Sequence, residues 1–261
     1  MSQGIRFGRT ALPVLAVVLV VAGWVQSQAA PDLPLAAPDA RHWLGTDDLG
    51  RDVLGRLIEA APATIGVGLA VGGGAMALAF SLALFGLAGR LADGFVLRLA
   101  DVFNALPVTL ILVAVASAFR PGMAALIGLL VLFGWDAELR TLRARLREVW
   151  RHESLDAARI ASASNLYLLR RHVIPAMAGL IAVLTVGLVR RGIFHYAGLA
   201  FLGLVDPRRP TWGSMLNEAM PWLAHPVALW CAVPPGICLA LLLIGLALLG
   251  QGLEEKIWKA P

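Results

Sequence analysis

Apolar residues run through this chain in long blocks separated by short polar interruptions. Windows of roughly 20 mostly apolar residues, the length that crosses about 30 Å of hydrocarbon, fall near 10–26, 62–88, 97–118, 122–139, 173–196 and 227–250. The pattern predicts an all-α chain with six transmembrane helices. Between the first two windows, "QAAPDLPLAAPDARH" is too proline-rich for a helix. The following "HWLGTDDLGRDVLGRLIEAAP" changes character, with Thr46 or Asp47 as a helix cap, acidic residues in a first turn, and Leu49, Val53, Leu57 and Ile58 on one face. It predicts a short amphipathic helix on the outer membrane surface.

Pro62 then opens the second span, in which Gly68 and Gly72 form a GxxxG pair suited to close helix contact. Packing inside the chain and contact with another subunit both fit that pair. "GRLADGFVLRLAD" reads as a short cytoplasmic turn and "RPGM" as a tight outer one. From Leu139 a basic helix leaves the membrane, and the chain returns at His172. A second outer amphipathic helix is expected through Trp212, Met215, Leu216, Ala219, Met220 and Leu223, its tryptophans suiting an interface. The chain is thus read as a spanning helix with an outer amphipathic segment, 1–61, and a core domain, 62–261, with a cytoplasmic loop at 140–172.

Composition agrees with that reading. Of 261 residues 59% are hydrophobic and 15% charged, too little polar material to cover a soluble domain of this size. The net charge of +5 does not call for nucleic acid, because in a membrane protein the placement of Lys and Arg matters more than their sum. With six spans, Arg6, Arg9, Arg90, Arg98, the arginines between 140 and 171, Lys256 and Lys259 share one side. Arg41, Arg51, Arg56, Arg120, Arg208 and Arg209 share the other. The richer side is cytoplasmic, which places both termini there in an inner, multi-pass membrane protein. A signal peptide ending near "SQAA" is the competing reading of the first window.

The polar residues carry no catalytic constellation. His42, Asp47, Asp48 and Asp52 lack zinc-type spacing, Cys231 and Cys238 lie seven apart on one helix and cannot pair, and no G-x-x-x-x-G-K-[ST] loop occurs. No enzymatic activity and no cofactor are expected in this chain. Two features invite function. Arg190 and Arg191 fall inside a span, where a charge costs about 2.5–3.5 kcal/mol and is expected to face a cavity or partner; snorkelling to headgroups is the alternative. The stretch Arg151–Met177, "RHESLDAARIASASNLYLLRRHVIPAM", is a charged island with small residues at its centre, shaped to let another surface approach its backbone.

Within the island, "DAARIASASNLYLLRRHVIPA" resembles the cytoplasmic loop of ABC-importer permeases: Glu-Ala-Ala, a glycine a few residues on, then an apolar residue and proline. Asp156, Ala157 and Ala158 match the opening, and Ile174 and Pro175 the close. Asp156 stands for the usual Glu and Ser162 for the usual Gly. "HWLGTDDLGRDVLGRLI" and "AFLGLVDPRRPTWGSML" are similar to two further segments of the dipeptide/oligopeptide/nickel branch. In "FHYAGLAFLGL", His195 and Tyr196 replace the small-Glu stretch of peptide-type members, and the histidine followed by x-Ala-Gly is similar to nickel and metallophore permeases.

The resemblance implies a type I importer permease fold. It also implies a second homologous permease, two cytoplasmic ATPases that bind ATP-Mg, an extracytoplasmic binding protein and a surrounding of membrane lipid. Glu153, Asp156, Ala157, Ala158, Arg159, Ser162 and Pro175 would form the coupling segment seated on an ATPase, and Arg190, Arg191 and His195 would line the translocation path. The expected cargo is nickel or another transition metal held in a carboxylate-bearing chelate, with di- or oligopeptides as the alternative. A self-sufficient secondary transporter is the more distant reading, and no internal inverted repeat speaks for it.

Overall fold

The structure is a computed structural model that describes residues 33–152, 155, 158, 160, 162–206 and 208–258, the last three by backbone alone. The expected first span, Arg6, Arg9, Glu153, Asp156, Ala157, Arg159 and Lys259 lie outside the described residues. Among those described, the elements are α1 (Val53–Gly86), α2 (Arg90–Ala105), α3 (Val108–Phe119), α4 (Met123–Leu132), α5 (Asp136–Trp150), α6 (Asn165–Phe201), α7 (Trp212–Ala219) and α8 (Val233–Trp258). Among the described residues, extended pairing is limited to one bridge, Thr46 to Asp52. The described residues divide into two compact units, one within 33–65 and 200–241, the other within 66–199 and 242–258.

In the first unit the capping chemistry differs from the expectation. Thr46 does not start a helix: its hydroxyl donates to the Leu33 carbonyl (2.6 Å) and accepts from the Ala36 amide (2.8 Å). Asp47 accepts from the amides of Leu49 and Arg51, folding a turn of its own. The cap is Asp52, whose carboxylate accepts from the Gly55 amide at 2.6 Å while His42 Nδ1 lies 3.1 Å from its other oxygen. The helix that begins there, α1, runs through the 61/62 boundary and past Pro62 without a break, so no separate amphipathic helix precedes the span.

α7 forms where the Trp-Met-Leu pattern places it. A reciprocal capping box between Thr211 and Ser214 starts it, and Trp212, Met215 and Ala219 turn inward. The Trp212 indole N–H donates to the Leu57 carbonyl (2.8 Å) and its amide to Thr64 Oγ1 (3.1 Å). Arg56 closes the unit: buried, it donates to Asp47 (2.9 Å) and to Glu218 of α7. Outside the helices, the Arg208 guanidinium beside Asp206 holds that carboxyl below the usual carboxylate range.

The second unit is built on small residues and a leucine stripe. Ala75, Met76, Ala79 and Ala83 of α1 and Val96 and Ala100 of α2 pack with Trp135, with Leu139, Leu142 and Leu146 of α5, and with Leu168, Val173, Met177 and Leu188 of α6. α5 therefore does not leave the core as a solvated basic helix. Its leucines recur at helical spacing and are fully buried, while its arginines are met by acids: Arg140 by Asp101, and Arg143 and Arg147 by Asp93. Asp93 in turn shows that "GRLADGFVLRLAD" is the amphipathic start of α2 rather than a turn.

Among the described residues, three helices, α1, α6 and Ala228–Glu255, are long and apolar enough to cross a membrane, and α2 with α3 makes a fourth if counted as one span. That pair is bent by 72°. Leu106, just before Pro107, sits in extended conformation (φ −81, ψ 135), the region into which a following proline forces its neighbour. α4 has 10 residues, short of a crossing, before the chain turns at Phe133–Trp135 into α5.

α1 and α6 meet through glycines. A methyl at Gly72 would lie 2.7 Å from the Val189 amide nitrogen and 2.9 Å from its Cα, and one at Gly192 would lie 2.8 Å from Cβ of Val71. The GxxxG pair thus serves packing inside the chain. Gly73, next along, faces open space. Gly72→Ala is expected to destabilise the folded chain by about 1–3 kcal/mol through overpacking, lowering its thermal midpoint in detergent. Gly73→Ala should leave that midpoint at or above wild type, and equal midpoints for the two variants would refute the contact.

Candidate coupling segment and cavity

Helical backbone at Leu155, Ala158 and Ile160 ends in a turn whose chemistry is visible in Ser162. Ser162 adopts a left-handed conformation, φ +59, and the Ala163 amide donates to the Ala158 carbonyl five residues back at 3.1 Å. This is the six-to-one bond of a Schellman terminus, with its left-handed position occupied by serine. Glycine takes that conformation without a Cβ clash, which gives a physical reason for the glycine of the resembling loop. Ser164 follows as the cap of α6, its Oγ accepting from the Tyr167 amide at 3.2 Å.

Leu155 is buried in the same core as the α5 leucines, and Ala158 and Ala163 pack against it, whereas Ile160 is 86% exposed. Leu155, Ala158 and Ala163 therefore join the segment to the core shared with α5 and α6, and Ile160 points out of it. Pro175 lies just beyond a π-helical turn, Leu169–Val173, in which the Ile174 amide reaches Leu169. Proline offers no amide to the Arg171 carbonyl, and the widened turn falls where that ladder bond is missing.

The path residues separate. Arg191 and His195, one turn apart on α6, line a cavity of about 200 Å³ together with Asn104, Asp136, Phe103 and Gly192. Arg190 points elsewhere, exposed, as the 100° step between neighbours requires. Arg191 is ion-paired with Glu138 of α5. Asp136, 7% exposed, has no ion-pair partner among the described residues. His195 stacks edge-on to Phe194, with ring centroids 5.9 Å apart. Sequence reasoning missed Asp136 and Glu138. The signal was two acids closing the apolar run "LIGLLVLFGWDAE", since ionisable groups at that depth are functional candidates.

The coupling set is brought together only in part: Ala158, Ser162 and Pro175 have the surroundings just given, and Glu153, Asp156, Ala157 and Arg159 are outside the described residues. Among the described residues, Asp47, Asp48 and Glu218 of the first unit lie close enough to share an ion, but Asp47 and Glu218 are already engaged by Arg51 and Arg56.

Comparison with known proteins covers both features. Residues 75–259 match the family described as binding-protein-dependent transport system inner membrane component. A protein named as a peptide permease of Brucella suis biovar 1 is 33% identical over 222 residues, 84% of this chain and 74% of the relative. The nickel transport system permease protein of Escherichia coli K12 is 27% identical over 270 residues, 97% and 93%. The glutathione transport system permease protein of Pectobacterium atrosepticum is 31% identical over 224 residues, 84% and 73%.

The Ser162 turn yields a direct test. Ser162→Val should cost about 1–2 kcal/mol at a left-handed position, raising amide hydrogen exchange across residues 155–168 by about five- to thirty-fold. Ser162→Gly should slow it. If both variants exchange at the wild-type rate, the turn is not strained.

Proposed function

The chain belongs to the binding-protein-dependent transport system inner membrane component family, and from that membership we propose that it carries metal chelates, nickel complexes first among them, through the membrane. It is an importer permease of the peptide, nickel and glutathione type, a multi-pass protein of the inner membrane. It pairs with a second permease and with two ATPases that bind ATP-Mg, and receives cargo from an extracytoplasmic binding protein. Both termini face the cytoplasm, as the arginine distribution favours.

The observation that carries the cargo reading is the charge state of the cavity wall. Its arginine is satisfied by Glu138, which leaves the Asp136 carboxylate and the His195 imidazole as groups turned toward a metal-bearing cargo. Imidazole and carboxylate suit a transition metal whose chelate leaves its outer face partly exposed. The alignment with the nickel permease, nearly end to end in both chains, supports the same choice. Peptides are the second reading, favoured by the higher identity of the Brucella relative.

Motion would enter at the segment around Leu155–Ser162 and pass into α5 through the shared core, reaching the cavity at Glu138 and Arg191. Glu138 and Arg191 are positioning residues in this scheme, and Asp136 and His195 meet the cargo. Uptake of radiolabelled nickel supplied with a carboxylate chelator should fall at least tenfold in Asp136→Asn and in Arg191→Gln, with Arg190→Gln near wild type. Efficient dipeptide uptake by the same system, with nickel uptake absent under every chelator tried, would replace the metal reading with the peptide one.

A further inference from the structure

At the end of α1 a second cavity opens, of about 230 Å³, walled by Arg90, Arg147, Arg151, Trp150 and the Gly86–Gly89 turn. Its charge is lopsided. Arg147 shares Asp93 with Arg143, while Arg90 and Arg151 are exposed and have no carboxylate partner among the described residues. The N-cap of α2 is Gly89, which brings no side chain to its first-turn amides, and the one acid of that turn, Asp93, is already engaged by Arg143 and Arg147. A methyl at Gly89 would meet nothing within 4 Å, leaving the entrance open.

The rim has a different chemistry. Phe85 and Leu91, next in sequence to the lining residues Gly86 and Arg90, are 53% and 92% exposed, and Phe95, one turn beyond Leu91 on α2, is 60% exposed. An anionic pocket ligand with an apolar body satisfies both halves at once. An acidic protein side chain satisfies only the arginines. α1 has 34 residues, longer than the ~20 that cross hydrocarbon, so its end reaches headgroup level. Trp150 suits that depth, guanidinium groups bind phosphate oxygens in bidentate fashion, and basic pockets between helices near the cytoplasmic surface hold anionic headgroups.

We propose that the Arg90–Arg147–Arg151 cavity binds the phosphate of an anionic phospholipid, with its acyl chains lying over Phe85, Leu91 and Phe95. The site is separate from the cargo cavity and stands whatever the cargo is.

Native mass spectrometry of the full chain, extracted in mild detergent and titrated with phosphatidylglycerol or phosphatidylcholine, tests it. Wild type should retain phosphatidylglycerol in preference to phosphatidylcholine. Arg90→Gln/Arg151→Gln should bind phosphatidylglycerol about thirty-fold more weakly, at roughly a factor of five for each arginine removed. Leu91→Ser should weaken the whole lipid but not glycerol phosphate. Arg145→Gln, which removes an arginine paired with Glu148 away from the cavity, is the control and should bind like wild type.

Equal phosphatidylglycerol binding by wild type and the double variant overturns the site. Glycerol phosphate binding as tightly as the lipid would reassign it to a soluble phosphate and overturn the lipid. A double variant that keeps its lipid but loses copurifying ATPase would mean the arginines meet an acidic protein, and also overturns it.

Discussion

The burial of Leu139, Leu142 and Leu146 is the constraint on which the second unit depends. α5 is the most charged helix described, and only the fully enclosed leucine stripe makes it a core element. Once that stripe is inside, the charges on either side must be met, because an ion in an apolar surrounding is expensive unless paired. Asp93 and Asp101 of α2 and Arg191 of α6 come from two distant stretches of sequence to meet them. The same helix therefore shares its core with Leu155, ahead of the Ser162 turn, at one end and supplies the cavity wall at the other.

That arrangement changes how the intramembrane arginines are understood. Taken alone, adjacent arginines in a span look like a receptor for carboxylates. In the fold, Arg191 has its carboxylate already, from Glu138, and Arg190 is turned away from the cavity. What the wall presents is the buried Asp136 and the half-buried His195. The charge this cavity wall presents is therefore the opposite of the one read from the arginines.

Much of the architecture was legible from apolar blocks, because helices must satisfy their own backbone in lipid. α1, α6 and α8 follow from that rule, and α7 from its Trp-Met-Leu spacing. The places where the reading failed have local causes. Thr46, Asp47 and Asp52 are all competent caps, and only the tertiary bonds of Thr46 and Asp47 leave the task to Asp52. Pro107 lies inside a run apolar enough to pass for one straight span, and the bend there comes from backbone sterics that hydropathy does not weigh. The Glu138–Arg191 pair joins positions 53 apart, which no window sees. The segment around Ser162 was legible as a motif, while its left-handed backbone was not.

The glycine crossing of α1 and α6 bears on how such a protein can move. Val71 fits into the gap left by Gly192, and Val189 and Ile193 into those left by Gly72 and Gly68. The two backbones are keyed together like cogs. A slip along the axis by even one residue, about 1.5 Å, would drive a valine into main chain. Piston-like sliding of this pair is thereby blocked, and swinging about the crossing as a pivot is the freedom that remains.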